Sequence, residues 1–240
     1  MESIKPQVNI SKNAQTARSG FKAEEIFRKD DSIRKSLEIY FKKNILQIDK
    51  IHGKKYDTII QFEDNTRACV QNKKFEHFGG RGDSFDRRAI HKTFDNVQIQ
   101  ENLKLLTCSR PTKTTTSMIE SDKISFMKLC EENIGDIHSF ITKTLIGEES
   151  EKNEYWCFMK TDNLFTDIQL YMISSDKLLQ FMFESLKIHI STRPNGTCLH
   201  LSPYIALQRK GGNTTDHSPD DIQCKLKMTS EMIDICERIL

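Results

Sequence analysis

Proline and glycine are scarce in this chain: five and ten in 240 residues. That excludes collagen-like and low-complexity classes. No apolar run approaches the roughly 20 residues that span a bilayer. The opening stretch MESIKPQVNISKNAQ carries no apolar core behind its charges and does not read as a secretory signal. The expectation is a cytoplasmic protein without a membrane partner. The seven cysteines (69, 108, 130, 157, 198, 224 and 236) include no Cys-x-x-Cys pair, which argues against a structural zinc clip. Without an export signal they read as reduced thiols. The seven histidines form no His-x-x-His or His-Glu-x-x-His pair, so a zinc hydrolase lacks its ligand spacing. An excess of one charge is missing too: 36 Lys and Arg face 34 Asp and Glu, a formal net charge of +2.

What is present suits one globular domain, with 29% charged and 37% hydrophobic residues. We read residues 1–240 as a single mixed α/β domain, with no internal repeat and no convincing linker. Charge is unevenly spread: from Arg67 to Lys92 there are seven Lys and Arg against three Asp and Glu. A local basic segment of this kind can neutralise phosphates while the whole chain stays balanced; it also suits a solvated face. Residues 20–43 have helical apolar spacing with a break near Asp30–Asp31, and 122–146 return to it with Asp122 as cap. SSDKLLQFMFESLKIHI reads as a core helix, and NEYWCFMK, TCLHLSP, YIALQRKGG and DIQCKLKM read as strands. TSEMIDICERIL reads as a final helix capped by Thr229 or Ser230.

ILQIDKI, YDTIIQF and TRACVQNKKF read as strands, the last two joined by the turn-like EDN. A fold about residues 63–66 brings Asp57 opposite roughly position 72. Gln71 and Lys73 lie two apart and share one side of their strand. Asp57, Gln71 and Lys73 therefore meet at the open end of one sheet. Phosphodiester hydrolysis needs a metal to activate water and shield developing charge, and gains from a nearby cation. Asp57 supplies an anionic ligand, Lys73 the cation, and Gln71 a neutral amide oxygen that a hard ion accepts. A second carboxylate must come from elsewhere, Glu24 or Glu25 on the N-terminal helix being the candidates. By spacing alone the D-x13-Q-x-K pattern is weak and equally suits a solvated hairpin.

Three stretches give that pattern a context: SGFKAEEI, YD…VQNK and LSPYIALQRKGGNTTDHSPDDIQCKL. Together they resemble the HinP group of type II restriction endonucleases, within the PD-(D/E)xK nuclease superfamily. The first resembles a Gly-Phe-Lys-x-Glu helix opening and selects Glu24 over Glu25. The second resembles a variant catalytic pattern with Gln in place of the usual acid. The third, with several residue types recurring in order, is the most specific. The resemblance frames residues 19–226, with no alignment over 95–195. It departs from the group's pattern at Tyr56, where a small residue is usual, and in a shorter Asp-to-Gln interval.

The resemblance implies a mixed central sheet flanked by helices, a restriction-endonuclease-like core, and Mg²⁺-dependent cleavage of double-stranded DNA. It implies metal held by Asp57, Gln71 and the backbone carbonyl of Asn72, Lys73 as the catalytic lysine, and Glu24 supporting the metal or its water. It also implies a cognate DNA methyltransferase in the same system, and palindromic sites would favour a homodimer. In the third stretch, Arg209, Lys210, Asn213 and Gln223 are expected to form a base-reading set, since Arg and Lys suit guanine edges and Gln and Asn suit adenine, and Gln208 beside them is expected to contact DNA. Lys225 is expected on phosphate. Arg81, Arg87 and Arg88 are expected to grip backbone or enter a groove, and Phe85 to wedge between bases or pack as an ordinary core residue. The alternatives are a repair or junction nuclease of the same fold, and a DNA-binding module whose active site has decayed.

Overall fold

The computed structural model describes residues 12–79, 83–106, 118–148, 152–162, 164–193, 196–209 and 221–240. The chain divides into two compact units, each built from separated segments. The first comprises Met1–Glu76, Tyr155–Met172 and Arg238–Leu240, the second His77–Glu154 and Ile173–Glu237.

The first unit opens with helices α1 (Lys12–Lys29) and α2 (Asp31–Phe41). They part where the sequence pattern breaks, at Asp30, because its carboxylate caps α2 by accepting the backbone N–H groups of Ser32 (2.9 Å) and Ile33 (3.1 Å). Those bonds, the Ser32 hydroxyl foremost, hold the Asp30 carboxyl below its ordinary pKa. Strands β1 (Ile45–Lys50), β2 (Thr58–Phe62) and β3 (Arg67–Phe75) then run antiparallel to their neighbours. Strand β5 (Tyr155–Lys160) joins parallel to β3. With β6 (Gln169–Ser174) and β11 (Glu237–Arg238) the order is β1-β2-β3-β5-β6-β11. The expected mixed sheet is thus present, with α1 packed against β1 and β3.

Alternation decides its buried face. Ile60, Phe62, Ala68, Val70, Cys157, Met159, Leu170 and Met172 join Ala23 and Phe27 of α1 and Ile33 and Leu37 of α2 in one core. The four-residue spacing within each helix puts each pair on one face. The hairpin turn is set by Asn65, left-handed at φ 64°, a conformation Asn tolerates, and by the Asp64 carboxylate accepting Thr66 N–H at 3.0 Å.

The second unit carries an antiparallel sheet in the order β4-β10-β9-β8-β7. Its strands are β4 (Asp83–Ala89), β7 (His189–Arg193), β8 (Gly196–His200), β9 (Ile205–Arg209) and β10 (Asp221–Leu226). Its helices are α3 (Val97–Lys104), α4 (Glu120–Glu132), α5 (Ile134–Leu145), α6 (Ser175–Glu184) and the short α7 (Ser230–Asp234), with a 3₁₀ turn at Ile90–Lys92.

Several expectations are corrected here. The 122–146 helix is two helices meeting at Asn133, and Asp122 lies in the first turn of α4, whose N-cap is Ile119. The core helix expected from Ser174 ends at Glu184, and the following KIHI turns into β7. Ser174 caps α6, accepting the Lys177 N–H, and Thr229 caps α7. The described cysteines are free thiols, all buried except the half-buried Cys236; Cys108 lies outside the described residues. No described helix is long and apolar enough to cross a membrane.

Ile60 is fully buried in the first core. Ile60→Ala should cost about 2–5 kcal/mol of stability, read as a lowered midpoint in urea unfolding.

Candidate active site and sheet surface

The site forms where β2 begins. Thr58 pairs with Val70, so Asp57 lies level with Gln71, one residue short of the position expected from the turn. The Asp57 backbone N–H donates to the Val70 carbonyl at 3.1 Å, and its own carbonyl accepts from Ile51 N–H at 3.0 Å. Position 57 is therefore fixed from both neighbouring strands. Its side-chain Oδ2 accepts two hydrogen bonds, one from the Gln71 amide and one from the Asn72 backbone N–H at 3.0 Å. With its N–H group turned to Asp57, Gln71 has its carbonyl oxygen as the atom that can take a cation.

Asn72 faces the other side of β3. Its Nδ2 donates to the buried Thr58 hydroxyl at 2.9 Å. Its Oδ1 is buried and accepts no hydrogen bond.

Asp57 is held above the ordinary carboxyl pKa. Burial is the main cause, and the Asn72 N–H opposes it. The negative charge of Glu24 raises it further, while Lys73 and Lys50 pull it down by smaller amounts. Glu24 of α1 is half-buried and pairs with Lys50 of β1 at 3.0 Å. Glu25, the alternative, is exposed and pairs with Lys29 along its own helix. The structure thus gathers Asp57, Gln71 and Asn72 by direct contact and brings Glu24 and Lys73 within electrostatic reach.

This donor set fits a hard divalent ion. A half-buried carboxylate whose charge is disfavoured by partial burial and by a neighbouring acid is stabilised by a dication. Such ions accept one or two carboxylates together with neutral oxygens and water. Among the described residues no three His, Cys, Asp or Glu side chains gather as a metal cluster, so neutral oxygens are needed to complete a coordination shell.

Sequence reasoning missed Lys50 and Thr58. Lys50 lies 26 positions from Glu24 in the chain, and only the pairing of β1 with β2, which sets Lys50 against Thr58, brings it here.

The residues expected to meet DNA belong to the second unit. Arg81, Lys210 and Asn213 lie outside the described residues. Arg87, Gln223 and Gln208 fall in one cross-strand row on β4, β10 and β9, on the sheet face left partly open. Arg87 is exposed and bonds Asp221 through Nη2 at 2.5 Å and Nε at 3.1 Å. Lys225 donates to the Gln208 side chain. Two further histidines continue this face: His189 and His200 stack with ring centroids 4.3 Å apart, and the Ser191 hydroxyl lies 2.8 Å from His200 Nε2. Phe85 is half-buried on β4.

Arg88 and Arg209 stand apart from that row. Arg88 bonds Asp86 at 2.7 Å and the Lys143 carbonyl in the last turn of α5 at 2.8 Å. Arg209 is only 9% exposed and donates to the Lys104 carbonyl at the end of α3. Both guanidiniums satisfy late helical carbonyls and complement the negative helix end. Those bonds tie helices to the sheet.

No protein-family model matches the chain. No curated protein matches it. Among solved structures, the crystal structure of restriction endonuclease MspI in complex with its cognate DNA is similar over 78% of this chain and 90% of that one, at 12% identity and a TM-score of 0.46. At that TM-score the overlap is loose, and the functional reading rests on the site itself.

Two outcomes follow from these contacts. Arg209→Ala should lose about 1–3 kcal/mol by removing a hydrogen bond to the part-buried Lys104 carbonyl, whereas Arg87→Ala at an exposed pair should change stability by about 1 kcal/mol or less; thermal unfolding separates them. Asp57→Asn should raise the metal-free melting temperature at pH 7. Between the ordinary carboxyl pKa and its raised value the folded chain keeps a proton that the unfolded chain has released, so stability falls as pH rises through that window and stays lower above it. The variant escapes this loss, and its advantage should shrink as pH is lowered through the carboxylate range. Melting curves in EDTA from pH 4 to 8 check this.

Proposed function

We propose that this chain is a metal-dependent endonuclease of double-stranded DNA, of the type II site-specific kind, with Mg²⁺ as its ion. The observation that carries the reading is the Asp57 carboxylate, half-buried and bonded to Gln71 and the Asn72 backbone, with Glu24 and Lys73 in electrostatic reach. Asp57, the Gln71 oxygen and the Asn72 backbone carbonyl would hold the ion, with Glu24 supporting it or its water. A bound divalent ion supplies Lewis-acid activation of water and neutralises the phosphate.

The chain's own groups do the rest. Gln71 orients the Asp57 carboxylate through its N–H. The Asn72 N–H holds the same oxygen in place, and this double restraint fixes the ligand before substrate arrives. Lys73 lies on the Gln71 side of β3 and places an ammonium where negative charge builds during attack on phosphorus. Arg87, Gln208, Gln223 and Lys225 offer hydrogen-bonding and basic groups on an open sheet face, of the types that read base edges and phosphates. The sequence resemblance to the HinP group supports site-specific cutting that leaves 5′-phosphates, a cognate methyltransferase acting in the same system, and two copies working on a palindromic site.

The test is digestion of plasmid DNA of known sequence with Mg²⁺ or with EDTA, followed by end mapping. Discrete fragments with 5′-phosphate ends are expected in Mg²⁺ and none in EDTA. Asp57→Ala and Lys73→Ala should each reduce cleavage by about 10²-fold or more with unchanged circular dichroism. Metal-dependent cutting without sequence preference would favour a repair or junction nuclease. DNA binding without cutting would favour a decayed module, and cutting retained by Asp57→Ala would overturn the site.

A further inference from the structure

Lys50 takes no part in the chemistry described so far, yet it is tied into the site from three directions. It ends β1 and pairs with Thr58, the residue after Asp57. Its ammonium meets the Glu24 carboxylate at 3.0 Å and sits over the Phe21 ring, 4.9 Å from the centroid. Phe21 and Glu24 lie three residues apart on α1, so one helical turn holds the lysine by charge and by its aromatic face. The side chains of Lys50 and Glu24 are 25% and 21% exposed, against 68% and 54% for the Lys29–Glu25 pair on the same helix. Solvent and salt therefore screen the Lys50 pair less.

The Glu24 and Lys50 charges both act on Asp57, in opposite directions. In the metal-free chain the charge of the acid pair Glu24 and Asp57 is thus partly offset from inside the protein, with Lys50 directly on one member. A dication drawn to these carboxylates meets an ammonium already seated on Glu24. Two cations against one carboxylate repel each other, and the monovalent one, on a flexible four-carbon stem, is the one that can leave.

Building on the metal-site reading above, we infer that Lys50 is a resident countercharge, held by Glu24 in the metal-free chain and given up when a divalent cation binds. It lowers the affinity of the site for metal and keeps the two acids together until an ion arrives.

The experiment titrates Ca²⁺ without DNA into the full chain by calorimetry, with melting curves in EDTA and in Ca²⁺. Lys50→Met keeps the stem over Phe21 and removes the charge. It should bind Ca²⁺ about three- to fivefold more tightly, the scale of one partly screened ion pair. It should also melt lower than the parent in EDTA, with the deficit closing in Ca²⁺. Lys50→Arg, which keeps the charge, should stay within about twofold of the parent. Unchanged or weaker Ca²⁺ binding by Lys50→Met, with binding lost in Asp57→Asn, overturns this inference and leaves the metal site standing. A parent that takes up no Ca²⁺, or whose uptake survives Asp57→Asn, overturns both. Should Lys50→Met fail to fold, Lys50→Gln carries the same comparison.

Discussion

The pairing of Thr58 with Val70 is the constraint on which the site depends. Side chains alternate along a strand, so a slip of one residue would exchange the two faces of β3. Val70 and Ala68 would leave the core, and Gln71 and Lys73 would enter it. The same register that buries Ile60, Phe62, Ala68 and Val70 therefore turns Gln71 toward Asp57. Core burial holds the candidate site in place, and the Asn65 turn sets the count. The Asn72–Thr58 side-chain bond reinforces that register from the opposite face.

Against this rigid frame stands an electrostatic cost. Burying Asp57 disfavours its ionised form, and Glu24 adds a second negative charge nearby. Structural carboxylates in this chain show the reverse. Asp64, at the hairpin turn, is pushed down to about 2, chiefly by its bond with Lys43 and then by Thr66. Asp30 is also lowered, chiefly by the Ser32 hydroxyl and then by the Ile33 N–H of the helix it caps. Groups that serve the fold are relieved by their surroundings, whereas Asp57 is left wanting positive charge. A perturbed acid beside a second acid and two lysines marks a functional centre better than residue type alone.

Much of this was legible in the sequence where the signals are local. The break at Asp30 shows because a capping aspartate sits between two apolar stripes, and the hairpin because EDN separates two β-rich runs. The placement of Gln71 and Lys73 on one strand side follows from period two alone. What stayed hidden depends on long-range contact. Nothing in LCEENIGD distinguishes a continuous helix from two meeting at Asn133. The KIHI run has apolar spacing that fits a helix end, yet pairing with β8 draws it into β7. Arg88 and Arg209 look like phosphate or base contacts, because a guanidinium that serves a helix end and one that serves DNA are chemically the same. Their bonds to the carbonyls of Lys143 and Lys104, 55 and 105 positions away in the chain, are contacts that no local pattern shows.

The neutral residue in the site now has a physical account. A carboxylate at position 71 would stand directly against Asp57, adding like charge to a place where Glu24 already raises the cost of ionisation. An amide contributes an oxygen of similar reach with no charge, and its N–H steadies the remaining acid. The demand for positive charge then comes from two carboxylates rather than three, and two internal lysines meet part of it. A neutral Gln71 thus spares the metal-free chain a further like charge beside the half-buried Asp57, whose shift Lys73 and Lys50 oppose.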